Sequence, residues 1–150
     1  MRRLLRQQVN RMFIINCKNY NEISGEKINK LSQIAEKISK KYKIQIAIAP
    51  PHHLLASIKK SKLLVFAQHL DDAKVGSTTG YMVPEIVKKS KVNGALINHS
   101  EHRISSKEIT NLVKRLKKLK MSFQKFLRQS ILNDVCGNKQ KEKDRKNNRK

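Results

Sequence analysis

A chain of 150 residues, 38% of them hydrophobic and with no apolar run near membrane-span length, has room for one ordinary domain with a modest core. Its two cysteines, Cys17 and Cys136, have neither the density of a disulfide framework nor metal-ligand spacing, which points to a reducing cytoplasm. The formal charge of +23 is concentrated at the ends, with +4 in Met1–Arg11, +11 in Lys114–Lys150 and only +8 between them. Such charge implies weak, non-specific attraction to polyanions, and no aromatic-interleaved basic surface or nucleic-acid motif accompanies it. The arginines of Met1–Arg11 precede no apolar h-region, which makes this segment a poor secretory signal.

Phe13-Ile14-Ile15-Asn16 suits a short buried strand. After Ser24-Gly25, apolar residues at Ile28, Leu31, Ile34, Ala35 and Ile38 mark one face of a helix. Ile44–Ala49 is β-branched and stopped by Pro50-Pro51, which favours a second strand. His52–Lys60 suits a short helix burying Leu54, Leu55 and Ile58. Leu63–Ala67 is a third strand, followed by a long loop from Gln68 to Gly80. Pro84 opens a helix through Lys89, and Gly94–Ile97 is a fourth strand. Ser105 and Glu108 form a capping box for a helix burying Ile109, Leu112, Val113 and Leu116. Strand and helix alternate at the spacing of right-handed βαβ crossovers, which predicts a parallel sheet. The pattern decays after Lys120: Met121-Ser122-Phe123 could start a strand, but Gln124–Asn133 reads more like a helix. Gly137–Lys150 has no apolar residue and is expected to be disordered.

Two strand ends carry chemistry. Asn16-Cys17-Lys18 follows the first strand and Asn98-His99-Ser100-Glu101-His102-Arg103 follows the fourth, where active groups gather in parallel α/β folds. The other candidates read as structural. His52, His53 and His69 lack metal-ligand spacing, Gly76–Gly80 lacks the Lys-Ser/Thr ending of a phosphate loop, and Cys17 has no evident base beside it.

From Met12 to Lys120 the sequence resembles the amino-terminal half of triosephosphate isomerases, particularly the archaeal type. Asn16-Cys17-Lys18 is similar to the family's Asn-aromatic-Lys after the first strand, with Cys17 in the aromatic position. Gln68-His69-Leu70-Asp71 with Gly76-Ser77-Thr78-Thr79-Gly80 is similar to its third loop. Asn98–Arg103 is similar to its His-Ser-Glu motif, with His102 at a variable position. The resemblance implies a (β/α)8-barrel family fold, present here as an incomplete barrel of about four βα units (residues 12–120). Residues 1–11 are then a basic extension and residues 121–150 a non-family, largely disordered basic tail.

It also implies an activity: interconversion of glyceraldehyde 3-phosphate and dihydroxyacetone phosphate through an enediolate, without cofactor or metal. Lys18 would stabilise the oxyanion and bind the phosphate, with Asn16 orienting that region. His99 would be the neutral electrophile, beside a helical turn supplied by Ser100–Arg103. Glu101 would pair with Lys18 or support the site, and Thr79 would reach into a neighbouring subunit.

The family's general base is a glutamate on a lid after the sixth strand, and its phosphate loops follow the seventh and eighth. Beyond Glu108 the sequence has only Glu142, in a lysine-rich tail. The expectation is half a site, inactive alone, completed by homo-oligomerisation or by a complementary carboxy-terminal half. The break after Lys120 suggests a shifted reading frame or a truncated gene. The competing readings are a basic protein binding nucleic acid non-specifically and a nonfunctional gene fragment.

Overall fold

The computed structural model describes residues 12–58 and 61–126. The expectations for Met1–Arg11, Cys136, Glu142 and Gly137–Lys150 lie outside the described residues. Five strands form one sheet in the order β1 (Met12–Asn16), β2 (Gln45–Ala49), β3 (Leu64–Ala67), β4 (Gly94–Ile97) and β5 (Ser122–Lys125). Every pairing is parallel, with Phe13 opposite Ile46, Ile48 opposite Val65, Ala67 opposite Ala95, and Ala95 opposite Phe123. The connections carry α1 (Lys27–Tyr42), a 3-10 segment (His52–Ser57), α2 (Pro84–Lys89) and α3 (Ser106–Lys118). Sequential parallel strands in this order make a half-barrel.

Alternation along the strands divides the core. On the helix-covered face, Ile46, Ile48 and Val65 pack with Ile28, Ala35, Leu54 and Ile58. Further along, Ala67, Ala95 and Ile97 pack with Val87, Ile109, Leu112 and Leu116. On the concave face, Ala47, Ala49, Phe66 and Leu96 are buried, flanked by half-buried Met12, Ile14, Leu64 and Phe126. The Phe66 ring is accommodated by Gly94. A Cβ there would stand 2.7 Å from two ring atoms of Phe66 and 2.4 Å from the Ser122 carbonyl oxygen. Bulk on β3 thus demands its absence on β4.

The ends of the helices show local chemistry. Ser105 accepts a hydrogen bond from the Glu108 N–H while the Glu108 carboxylate accepts from the Ser105 N–H, so the capping box forms. Lys43 and Lys120, just after α1 and α3, take left-handed conformations (φ 52° each), where glycine is the usual residue. The next N–H groups, of Ile44 and Met121, reach back to the Ser39 and Leu116 carbonyls.

The structure departs from the sequence expectations in several places, β1 among them, where Phe13 is 62% exposed in a strand expected to be buried. Residues 122–125 are a fifth strand beside β4: the strand start open at Met121-Ser122-Phe123 forms, and Gln124 and Lys125 continue it where a helix was expected, so the barrel-like segment runs past Lys120. Parallel pairing to a buried neighbour decided this over the weak local pattern Ser-Phe-Gln-Lys. The segment after β2 is a 3-10 helix ending at Ser57, consistent with the restraint of Pro50-Pro51 before it. Leu55 and Val113, expected to be buried, are half-buried at the edges of their clusters. Ile34 and Ile38 are exposed (56% and 41%) although they share the apolar stripe of α1. Among the described residues β1 pairs only with β2, and α1 packs on β2 and the 3-10 segments, so nothing covers its outer flank.

Candidate active site

The carboxyl ends of β1 to β4 surround an open cleft of about 700 Å³. Asn16, Lys18, Asn19 and Tyr20 come from the end of β1, His52 and His53 from β2, Gln68 and His69 from β3, and His99, Glu101 and His102 from β4. Each strand delivers its side chains to one mouth because all four run the same way. The two motifs singled out in the sequence, eighty residues apart, meet there.

Lys18 is held in a rare conformation. Its φ is 48°, a left-handed backbone that costs a lysine about 1–2 kcal/mol. Three bonds hold that region: its N–H donates to Asn16 Oδ1 (3.1 Å), its carbonyl accepts from Gln68 Nε2 (3.0 Å), and the same Gln68 amide donates to the Ala49 carbonyl (3.1 Å). Gln68 therefore ties the ends of β1, β2 and β3 together. Strain maintained by surrounding bonds is common where a side chain is aimed for function. The Lys18 ammonium reaches Glu101 Oε1 at 2.7 Å. Each partner favours the other's charge: Glu101 raises the Lys18 pKa, and Lys18 lowers that of Glu101. Both side chains are solvent-accessible, so this contact positions charge at the cleft more than it stabilises the fold.

His99 sits edge-on to Phe126, with ring centroids 4.9 Å apart. The Glu101 N–H lies 3.3 Å from His99 Nδ1 and donates to it. Glu101 Oε2 also lies 3.5 Å from Nδ1, so that nitrogen faces both a donor and an acceptor of one residue; the shorter N–H contact favours a lone pair on Nδ1 and the proton on Nε2. The expected helical turn at Ser100–Arg103 is a single hydrogen-bonded turn instead, closed by the His102 N–H on the His99 carbonyl (2.9 Å). Helix α3 starts only at Ser106, because Asn98 diverts the chain: its Oδ1 accepts from the Ile104 N–H and its Nδ2 donates to the Phe126 carbonyl. Asn98 has φ 60°, a conformation that asparagine tolerates.

Burial pushes the Cys17 thiol up to about 11, so it stays protonated at neutral pH and is no nucleophile. Burial also lowers the pKa of His52 and His69. No cluster among the described residues has three or more His, Cys, Asp or Glu side chains placed to hold a metal ion. Thr79 is exposed on the third loop and does not line the cleft. Gln68, Asn19, Tyr20 and the three histidines 52, 53 and 69 do belong to the cleft, although no site role is legible for them in the sequence. Their position immediately after β1, β2 and β3 was the available signal.

Residues 11–150 match the family model for triosephosphate isomerase. The triosephosphate isomerase of Cenarchaeum symbiosum is 54% identical over 110 residues, which make up 73% of this chain and 50% of that protein. That of Saccharolobus solfataricus is 38% identical over 109 residues, 72% of this chain and 48% of the relative. The chain thus spans about half the length of the curated relatives it matches. The crystal structure of triosephosphate isomerase from Bartonella henselae superposes with a TM-score of 0.68 at 19% identity, covering 86% of this chain and 56% of that one. This likeness establishes the barrel-type fold of the half-sheet.

Proposed function

This chain belongs to the triosephosphate isomerase family, and we propose that it carries the electrophilic and electrostatic arm of a triose phosphate isomerising site. The single observation behind this reading is the meeting of Lys18, Glu101 and His99 at one strand-end cleft. Isomerisation removes a proton beside a carbonyl, passes through an enediolate, and returns the proton to the neighbouring carbon. Lys18, aimed by its bonds to Asn16 and Gln68, supplies positive charge for the developing oxyanion and the substrate phosphate. Asn16 orients that region. His99, with its proton on Nε2, donates to the carbonyl oxygen and shuttles protons between the two oxygens. Glu101 holds Lys18 and the His99 turn in register.

The proton acceptor at carbon is a carboxylate supplied from outside the segment 12–126. Such a base contributes about 10²–10⁴-fold, so the chain by itself is inactive. Completion by a carboxy-terminal half of the same family, or by assembly of several copies through the third loop and Thr79, restores the missing face. Triose phosphate is the substrate, no cofactor or metal takes part, and the setting is the cytoplasm. No helix among the described residues is long and apolar enough to cross a membrane. The charge of +23 supports one accessory property, salt-labile adhesion to polyanions.

The test is a mixing assay. The purified chain is combined with the carboxy-terminal half of the Cenarchaeum symbiosum relative, and triose phosphate interconversion is followed. Turnover that appears on mixing and falls at least 100-fold in both His99→Ala and Lys18→Ala is the expected result. Turnover indifferent to either substitution refutes the assignment.

A further inference from the structure

His102 stands outside the motif that carries the proposed chemistry, yet its ring lies flat on another. The imidazoles of His69 and His102 stack with centroids 3.7 Å apart and planes within 11°. His69 is a fixed platform. It is 6% exposed, and its Nε2 faces Asp71 Oδ1 at 3.3 Å. Asp71 in turn closes the long loop: its other oxygen accepts from the Met82 N–H, and its own N–H donates to the Met82 carbonyl. On the other side of the stack, the His102 N–H closes the turn on the His99 carbonyl. Contacts thus run from Met82 through Asp71, His69 and His102 to the backbone carbonyl of His99, linking the loop after β3 to the turn after β4.

We propose that His102 is a positioning residue, whose stack on His69 holds the His99 turn in the geometry that fixes the His99 tautomer. The Glu101 N–H donates to Nδ1 only while residues 99–102 stay in this turn; Asn98 ties the two ends of the segment, its Oδ1 accepting from the Ile104 N–H and its carbonyl from Arg103 Nη1, and the stack fixes the middle of it. The Lys18–Glu101 pair is exposed to solvent, and Phe126 touches only the ring of His99. A flat neutral ring at position 102 is all that stacking requires, whereas two bases stacked at 3.7 Å also make the clamp sensitive to acid.

The groups facing the pair are His52 and His53 from the 3-10 segment, Asp71 from the long loop, Arg103 and Glu101 from the turn, and Glu108 from the first turn of α3. Burial and the facing His102 disfavour a proton on His69, with Asp71 and Glu108 opposing them. Acid therefore loads a charge onto a ring whose stacked position resists it, and the stack opens. Because burial lowers the His69 pKa, the clamp is intact above about pH 6.5, the ordinary histidine value, and weakens as pH falls below it.

The inference rests on reading His99 as the electrophile, but its test does not need turnover. Imidazole ¹⁵N spectra of the full chain report which nitrogen of His99 carries the proton. At pH 7.5 the wild type and His102→Phe are expected to show a fixed Nε2–H form, and His102→Ala an average of the two tautomers. On acidification, His102→Phe is expected to keep the fixed form to a lower pH than the wild type, since its ring carries no charge. A fixed tautomer in His102→Ala, or coincident pH midpoints in wild type and His102→Phe, overturns the proposal. With the carboxy-terminal half added, His102→Ala should lower kcat about tenfold with KM within twofold of wild type. Spectra that behave as expected without any turnover on mixing would strike the functional reading and leave the clamp standing.

Discussion

Helices α1 and α3 show comparable apolar stripes in sequence, yet the fold treats them differently. Helix α3 buries Ile109, Leu112 and Leu116 between the sheet and α2, and its Arg115 reaches across to Asp72, the Ala73 carbonyl and Glu85. Helix α1 buries Ile28 and Ala35 but leaves Ile34, Ile38 and Tyr42 in solvent, and Phe13 on β1 is exposed as well. The difference is in what each helix packs on. Among the described residues α3 packs against α2 and β5, whereas α1, at the first edge of the sheet, packs on β2 and short 3-10 segments. Periodicity reports the face a helix offers, and the elements packed on it decide how much of it is used.

Paired truncations test this contrast most strongly. Leu116→Ala is expected to cost about 3 kcal/mol in urea-induced unfolding, as a fully buried leucine leaves a cavity. Ile34→Ala should change stability by no more than about 0.5 kcal/mol, and a comparable loss at both positions would mean that the α1 flank is covered in solution. Gly94→Ala comes next. Its Cβ meets the Ser122 backbone and the Phe66 ring, which predicts a loss of about 2 kcal/mol by overpacking. Adding Phe66→Leu to Gly94→Ala should recover part of that loss.

Arg115→Ala should cost about 1–2 kcal/mol, kept low because the Glu85 carboxylate is more than a third exposed. Hydrogen bonding to Arg115 lowers the Glu85 pKa. That stabilisation is therefore fully present above the ordinary carboxylate value near 4.5 and is lost as pH falls through the lowered one. The wild-type advantage over Arg115→Ala should shrink below pH 4.5, which thermal melts across pH 3–7 would show. The smallest effect carries the opposite sign. Lys43→Gly and Lys120→Gly should each raise stability by about 0.5–1 kcal/mol by relieving a left-handed lysine, with equal gains at both helix ends in calorimetry.

Much of the fold is readable in the sequence because its strands are short apolar runs bounded by proline, glycine or polar clusters. The helix Pro84–Lys89, the strand Gly94–Ile97 and the Ser105–Glu108 capping box follow from local chemistry alone. β5 does not. Ser122-Phe123-Gln124-Lys125 has one large apolar residue, and its strand state comes from pairing with β4, which is non-local information. The lysines that end α1 and α3 are equally illegible, since glycine is the residue that announces a left-handed turn. At the cleft, the two polar strand ends drew attention to Asn16, Lys18, His99 and Glu101. Gln68 and His102 were hidden because their roles lie in contacts across loops, to the Lys18 carbonyl and to the His69 ring.

Under the proposed function this chain supplies the cation and the electrophile of an isomerase site, and its base comes from elsewhere. The most direct measurement is the rate of triose phosphate interconversion by the purified 150-residue chain on its own. The expected rate equals that of buffer and is unchanged in His99→Ala. Turnover by the chain alone that disappears in His99→Ala would show that the base lies within it and would contradict the account.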